Sequence, residues 1–131
     1  ENVVLSSHLV AHTAFKLLQK RYPSLDLYGI LRLPTEERVL PRALFEHNIT
    51  LLRARLLQLG EQGKVKLSQS VYSDDLEALI KHGLDNLGIF HVQNALFINK
   101  NGNISSEDLN LLYYYHNRLN GYQLDTLIEA K

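Results

Sequence analysis

"SDDLEALIKHGLDNLG", residues 73–88, decides the fold class of this 131-residue chain. Leu76, Leu79, Ile80, Gly83, Leu84 and Leu87 recur at helical spacing and form one apolar stripe, which predicts an amphipathic α-helix. Ser73 is placed to cap it. Asp74, Asp75 and Glu77 load its first turn, where the helix dipole favours anions, and Gly88 is a natural stop.

The same period runs toward the N-terminus. From about Arg42 to Leu59, with Gly60 as the expected cap, Leu44, Phe45, Ile49, Leu52, Leu56 and Leu59 repeat helically. Pro34 and Pro41 bracket a polar loop before it, and residues 24–33 read as a short helix capped by Ser24. Residues 6–21 predict a first helix capped by Ser6 or Ser7, with its apolar face on Leu9, Val10, Thr13, Ala14, Leu17 and Leu18. "KVKLSQSVY", residues 64–72, begins with strand-like alternation.

Toward the C-terminus, "IFHVQNALFINKNGNIS", residues 89–105, is rich in β-branched and aromatic residues, with "KNGN" as a turn. It predicts a hairpin or two short strands. Ser105 or Ser106 is then expected to cap a last main helix over residues 107–119. The chain therefore reads as one mostly α domain of about five helices with a minor β-hairpin. The element order also fits a winged helix, with residues 88–104 as the wing. Leu76, Leu79, Ile80, Leu84, Leu112 and Tyr113 are the expected core.

Composition excludes several function classes. A hydrophobic content of 45% against 21% charged residues is that of a folded globular chain. The formal net charge is zero, and the candidate wing holds one cation, Lys100, so a dedicated nucleic-acid binder is not indicated. Without cysteine there are no disulfides, thiolate metal sites or thiol catalysis. Without an initiator methionine the chain is expected to be a piece of a longer protein. No run approaches the roughly 18 apolar residues that span a bilayer, and the opening has no signal-peptide layout.

Several short patterns resolve into ordinary structure. His8 and His12 share a helix face, but Leu9 stands where a zinc-protease helix carries glutamate, so no metal site is expected. "NKNGNIS", residues 99–105, has its glycine fourth and no acidic ligands, which makes it a polar turn and not a calcium loop. "LGEQGKVK" lacks phosphate-loop spacing. Within "LLYYYHNRLNGYQLD", residues 111–125, helical geometry puts Tyr113 and His116 on one face and turns Tyr114 and Tyr115 elsewhere, so the three rings are no stacking platform. Between Arg38 and Lys66, six cations face two carboxylates, a local net of +4. Arg38, Arg42, Arg53 and Arg55 are thus the candidate surface for a phosphate, a membrane or a partner.

Two segments carry a resemblance. "VVLSSHLVAHTAF" and the block running from "DDLEALIKHGLDNLG" to "LLYYYHNRLNGYQLDTLIEA" resemble the C-terminal region of the glycerol-phosphate and dihydroxyacetone-phosphate acyltransferases, most like the peroxisomal branch. The matching core is Tyr114, Tyr115, His116, Asn117 and Arg118. The resemblance implies an accessory domain of a membrane-associated enzyme that moves an acyl group from acyl-CoA to a small phosphorylated three-carbon acceptor. Its partner would be the catalytic domain of the same chain, and its organelle the peroxisome or, alternatively, the mitochondrial outer membrane. No cofactor is implied. The family's His-x4-Asp motif is absent: Thr13, Leu17, Leu52, Leu87, Leu96 and Gly121 stand five residues beyond the six histidines. No catalytic residue carries over. The alternative class is a non-catalytic interaction module, winged-helix-like, that binds protein or DNA.

Overall fold

A computed structural model describes residues 3–87 and 93–131. The chain runs β1 (Val3–Val4), α1 (Ser6–Arg21), α2 (Leu27–Leu31), α3 (Arg42–Glu61), β2 (Lys66–Leu67), α4 (Leu76–Leu87), β3 (Phe97–Ile98), β4 (Ile104–Ser105) and α5 (Leu109–His116). Short 3₁₀ turns fill several connections. The expected class holds: the fold is mostly α, with small strand pairs.

Helix α1 is the hub, and α3, α4 and α5 all pack on it. Helix α1 spans the expected residues and buries all six expected apolar positions, and it also buries Ser6, Ser7, Ala11, His12 and Phe15, while His8 stays partly exposed. Small side chains allow this by letting neighbours approach closely. One close approach is at Gly83 of α4, where an added Cβ would lie 2.9 Å from the Ser6 carbonyl oxygen and 3.0 Å from both Val10 methyls. Two polar side chains that α1 buries find partners, one within the helix and one on α4. Thr13 Oγ1 donates to the Leu9 carbonyl (2.8 Å), and Ser6 Oγ lies 2.8 Å from His82 Nδ1.

Leu79, Ile80 and Leu112 are buried as expected, whereas Leu76, Leu84 and Tyr113 are half-buried at the edge of the core. In α3 the stripe Phe45, Ile49, Leu52, Leu56 and Leu59 faces inward, with Leu44 half-buried beside it. Asn48 is buried in the same stripe. Its amide spans to the C-terminal segment, with Nδ2 donating to the Glu129 carbonyl (2.8 Å) and Oδ1 accepting the Glu129 N–H (2.7 Å).

The helix boundaries differ from the expected ones where aspartate displaces serine as cap. Asp26, not Ser24, caps α2 by accepting the Gly29 N–H (2.8 Å), and Asp108 caps α5 by accepting the Leu111 N–H (3.0 Å). Asp75 accepts the Ala78 N–H at the start of α4 (3.2 Å), while Ser73 holds the Asp75 N–H (3.2 Å). Ser106 in turn holds the Asp108 N–H (3.1 Å). In each case the carboxylate is the group that reaches the free helical amide. Leu5 stands at the N-cap of α1 without a side-chain bond, and neither Ser6 nor Ser7 caps it. Helix α3 runs past Gly60 to Glu61; the positive φ of +75° falls on Gly63. The last helix ends at His116 and tightens into a 3₁₀ turn, Asn117–Tyr122, where α-helix was expected to Leu119.

Strand β2 pairs in parallel with β1, which joins residues 64–72 to the chain's start. The hairpin is present as β3 and β4, antiparallel, with Gly102 at φ +83° in its turn; the part expected over residues 89–92 and the stop at Gly88 lie outside the described residues. Leu40 bridges to Ile104, giving the strand order β3–β4–Leu40. The strand in residues 64–72, which the winged-helix alternative set between two helices, pairs with β1 and lies outside that sheet. Unlike a helix-turn-helix pair, α3 and α4 pack on α1 and make few contacts with each other.

Candidate functional site at the α1–α5 junction

Four of the motif residues quoted above divide between two faces of α5. Tyr113 and His116 turn inward. Phe15 of α1 meets the His116 ring at 4.4 Å and the Tyr113 ring at 5.3 Å, centroid to centroid, and His12 stacks on His116 at 5.4 Å and 18°. Tyr114 and Tyr115 turn away, edge to face at 5.4 Å, with Tyr114 70% exposed. Residues about one turn apart, Tyr113 and His116, share a face, and the two between them are rotated away by the helical period.

Each buried histidine is held in one tautomer. His12 Nδ1–H donates to the His116 carbonyl (2.8 Å), and His116 Nδ1–H donates to the Tyr113 carbonyl (2.6 Å). Only an N–H can serve a carbonyl acceptor, so each Nδ1 carries the proton in the neutral ring. Burial pushes both pKa values down to about 4; the carbonyl bonds oppose this, and Lys16 adds to the lowering in each case. Asp125 raises His12, while His12 itself lowers His116. His12 Nε2 is buried without a hydrogen-bond partner. The rings are packing elements at neutral pH, with their Nδ1 protons committed to backbone.

His8 is different. Its Nδ1 accepts the Leu5 N–H (3.0 Å), so it holds the first turn of α1 from the third helical position, where a capping box carries Glu or Gln. Its neutral ring therefore presents Nε2–H outward. Burial, then the Arg118 guanidinium, lower its pKa to about 4. His8, Tyr114, Tyr115, Asn117 and Arg118 line a surface recess of about 350 Å³. Arg118 Nη2 is buried without a hydrogen-bond partner.

The four arginines singled out by charge do not converge. Arg38 donates to the Leu33 and Ser106 carbonyls (2.8 and 3.2 Å), tying the loop before α3 to the entry of α5. Arg53 donates to the Val71 and Tyr72 carbonyls (2.7 and 3.0 Å) and reaches Asp74 at 3.5 Å. Arg42 pairs with Glu46 at 2.9 Å. Arg55 is exposed and donates to Gln58 (3.2 Å); on α3 it lies about 200° round from Arg53 at 3.6 residues per turn. Most of these donors serve the fold.

No group of three possible metal-binding side chains occurs among the described residues. The polar turn behaves as expected: Asn99 Oδ1 accepts the N–H groups of Asn101 and Asn103 (3.0 and 2.9 Å), directing its oxygen to backbone. No helix is long and apolar enough to cross a membrane among the described residues. Sequence reasoning gave His12 and Asn48 no special role. The signal for Asn48 was a polar residue inside the α3 stripe; for the His12–His116 pair, 104 residues apart in sequence, there was none.

The chain matches no family model, no curated protein and no solved structure.

Proposed function

We propose that this chain is an accessory domain of an acyl-CoA-dependent acyltransferase acting on dihydroxyacetone phosphate or glycerol 3-phosphate, and that it packs against the catalytic domain of the same protein. The observation that carries the reading is the division of the Tyr-Tyr-His-Asn-Arg segment. Its inward member His116 fastens α5 to α1, while Tyr114, Asn117 and Arg118 remain on an accessible recess. Residues that carry the resemblance thus supply both a packed core and a contact face. The acid–base chemistry of acyl transfer, in which a histidine takes the hydroxyl proton, belongs to the catalytic domain in this reading. His12 and His116 do not compete for that role, because they are 1% and 2% exposed and a substrate hydroxyl does not reach their Nε2 atoms.

A membrane-associated, peroxisomal setting is part of the same proposal and rests on the resemblance alone. The test is acyl transfer from acyl-CoA to dihydroxyacetone phosphate and to glycerol 3-phosphate, with the parent protein carrying or lacking these residues. Activity is expected to fall on deletion while the remainder stays folded. Unchanged activity would shift the reading to a separate interaction module.

A further inference from the structure

The recess beside α5 gathers hydrogen-bond donors and no acid. Arg118 contributes its guanidinium, and one nitrogen of that group is covered and unbonded. His8 contributes Nε2–H, since its Nδ1 is occupied by the Leu5 amide. Asn117 contributes its amide nitrogen, because its Oδ1 already accepts from Asn120 (2.8 Å). Tyr114 adds a phenol on an exposed ring. No Asp or Glu lines the recess, and no carboxylate is paired with Arg118 among the described residues. The charge that His8 senses most is the Arg118 cation.

A guanidinium, an imidazole N–H and an amide around one small concavity are complementary to an anion with several acceptor oxygens. A volume of about 350 Å³ is at the small end of ligand pockets. A carboxylate offers two oxygens in one plane, whereas a phosphate monoester offers three around a tetrahedral centre and carries up to two charges. The donors here come from α1, α5 and the turn after α5, so they approach from different sides. We propose that the recess formed by His8, Tyr114, Asn117 and Arg118 binds the phosphate group of a small phosphate monoester. This assignment does not rest on the acyltransferase reading.

A bound dianion stabilises the protonated imidazole, so saturation with phosphate raises the His8 pKa from about 4 toward its ordinary value. It also places an acceptor beside the Arg118 guanidinium, which pairs with no carboxylate among the described residues.

The test uses the whole 131-residue chain, inorganic phosphate as probe, and constant ionic strength, since exposed charge contacts are screened by salt. Side-chain NMR signals of His8, Asn117 and Arg118 are followed through a titration. Saturable shifts at all three are expected, with binding weakened at least about tenfold in Arg118→Gln, the loss of one charge-assisted contact. Backbone amide signals of Arg118→Gln that match the native chain away from the recess, together with an unchanged urea midpoint, show that its folding is intact. Linear, unsaturable shifts would overturn the proposal, as would native-like affinity in Arg118→Gln. Equal or tighter binding of acetate would overturn the phosphate assignment.

Discussion

Replacing Gly83 by alanine sets two known effects against each other where α4 crosses α1. Alanine favours a helix interior over glycine by about 0.8–1 kcal/mol. The new Cβ would sit 2.9 Å from the Ser6 carbonyl oxygen and 3.0 Å from two methyls of Val10. Ser6 and Val10 are fully buried in α1, and the nearest atom is backbone, so no side chain can swing aside. Relief requires moving α4 off α1, and overpacking of this kind costs about 1–3 kcal/mol. The net expectation is a loss of about 1–2 kcal/mol, read as a lower urea midpoint with an unchanged slope. Gly60→Ala is the control. Its Cβ would come nearest to Leu67 Cδ1, 3.3 Å away at the end of a flexible side chain, with Leu67 Cγ and the Tyr72 hydroxyl at ordinary contact distance, so the propensity gain should survive, up to about 1 kcal/mol. If Gly83→Ala is as stable as the native chain, α4 does not cross α1 at this glycine.

Acid should weaken the fold through His12 and His116, which are 1% and 2% exposed. Their folded pKa values of about 4 lie below the ordinary 6.5, so stability is complete above pH 6.5 and is lost as pH falls toward 4, by about 1.4 kcal/mol per pH unit for each histidine. Urea midpoints unchanged between pH 7 and pH 5 would refute this. Half-exposed His8 should add less, since solvent screens it. Asn48→Ala removes both bonds to Glu129 and should cost about 1–3 kcal/mol while speeding hydrogen exchange at the Glu129 amide. A Glu129 amide as protected as in the native chain would show that another contact holds the C-terminal segment.

What was legible in the sequence was the periodicity. The stripes of α3 and α4 were readable because each helix has one solvated side, and the polar residues there give the pattern contrast. Helix α1 was legible as well, over the residues it spans and in its six apolar positions; what spacing did not reveal is that Ser6, Ser7, Ala11, His12 and Phe15 are buried beside them. Caps were misassigned by a few residues because serine and aspartate both suit the role, and only the local path decides which oxygen meets an amide. The arginine cluster was real as composition and dispersed as structure. Loops from distant parts of the chain brought carbonyls to Arg38 and Arg53 that spacing along the sequence does not reveal.

The α1–α5 junction explains why one short motif bears on both stability and surface. A histidine at position 116 closes the core only because Phe15 and His12 stand opposite it on a helix small enough elsewhere to be buried. The turn that follows tightens to 3₁₀ geometry at Asn117, which carries Arg118 into the recess beside His8. His8 and His12 lie four residues apart on α1, so the packed face and the recess share one rigid element. An anion held between His8 and Arg118 would therefore bridge the start of α1 to the end of α5, the two ends that the His12–His116 stack already joins from within. Binding at the recess is then coupled to the stability of the junction, because a ligand that prefers the folded state stabilises it by mass action.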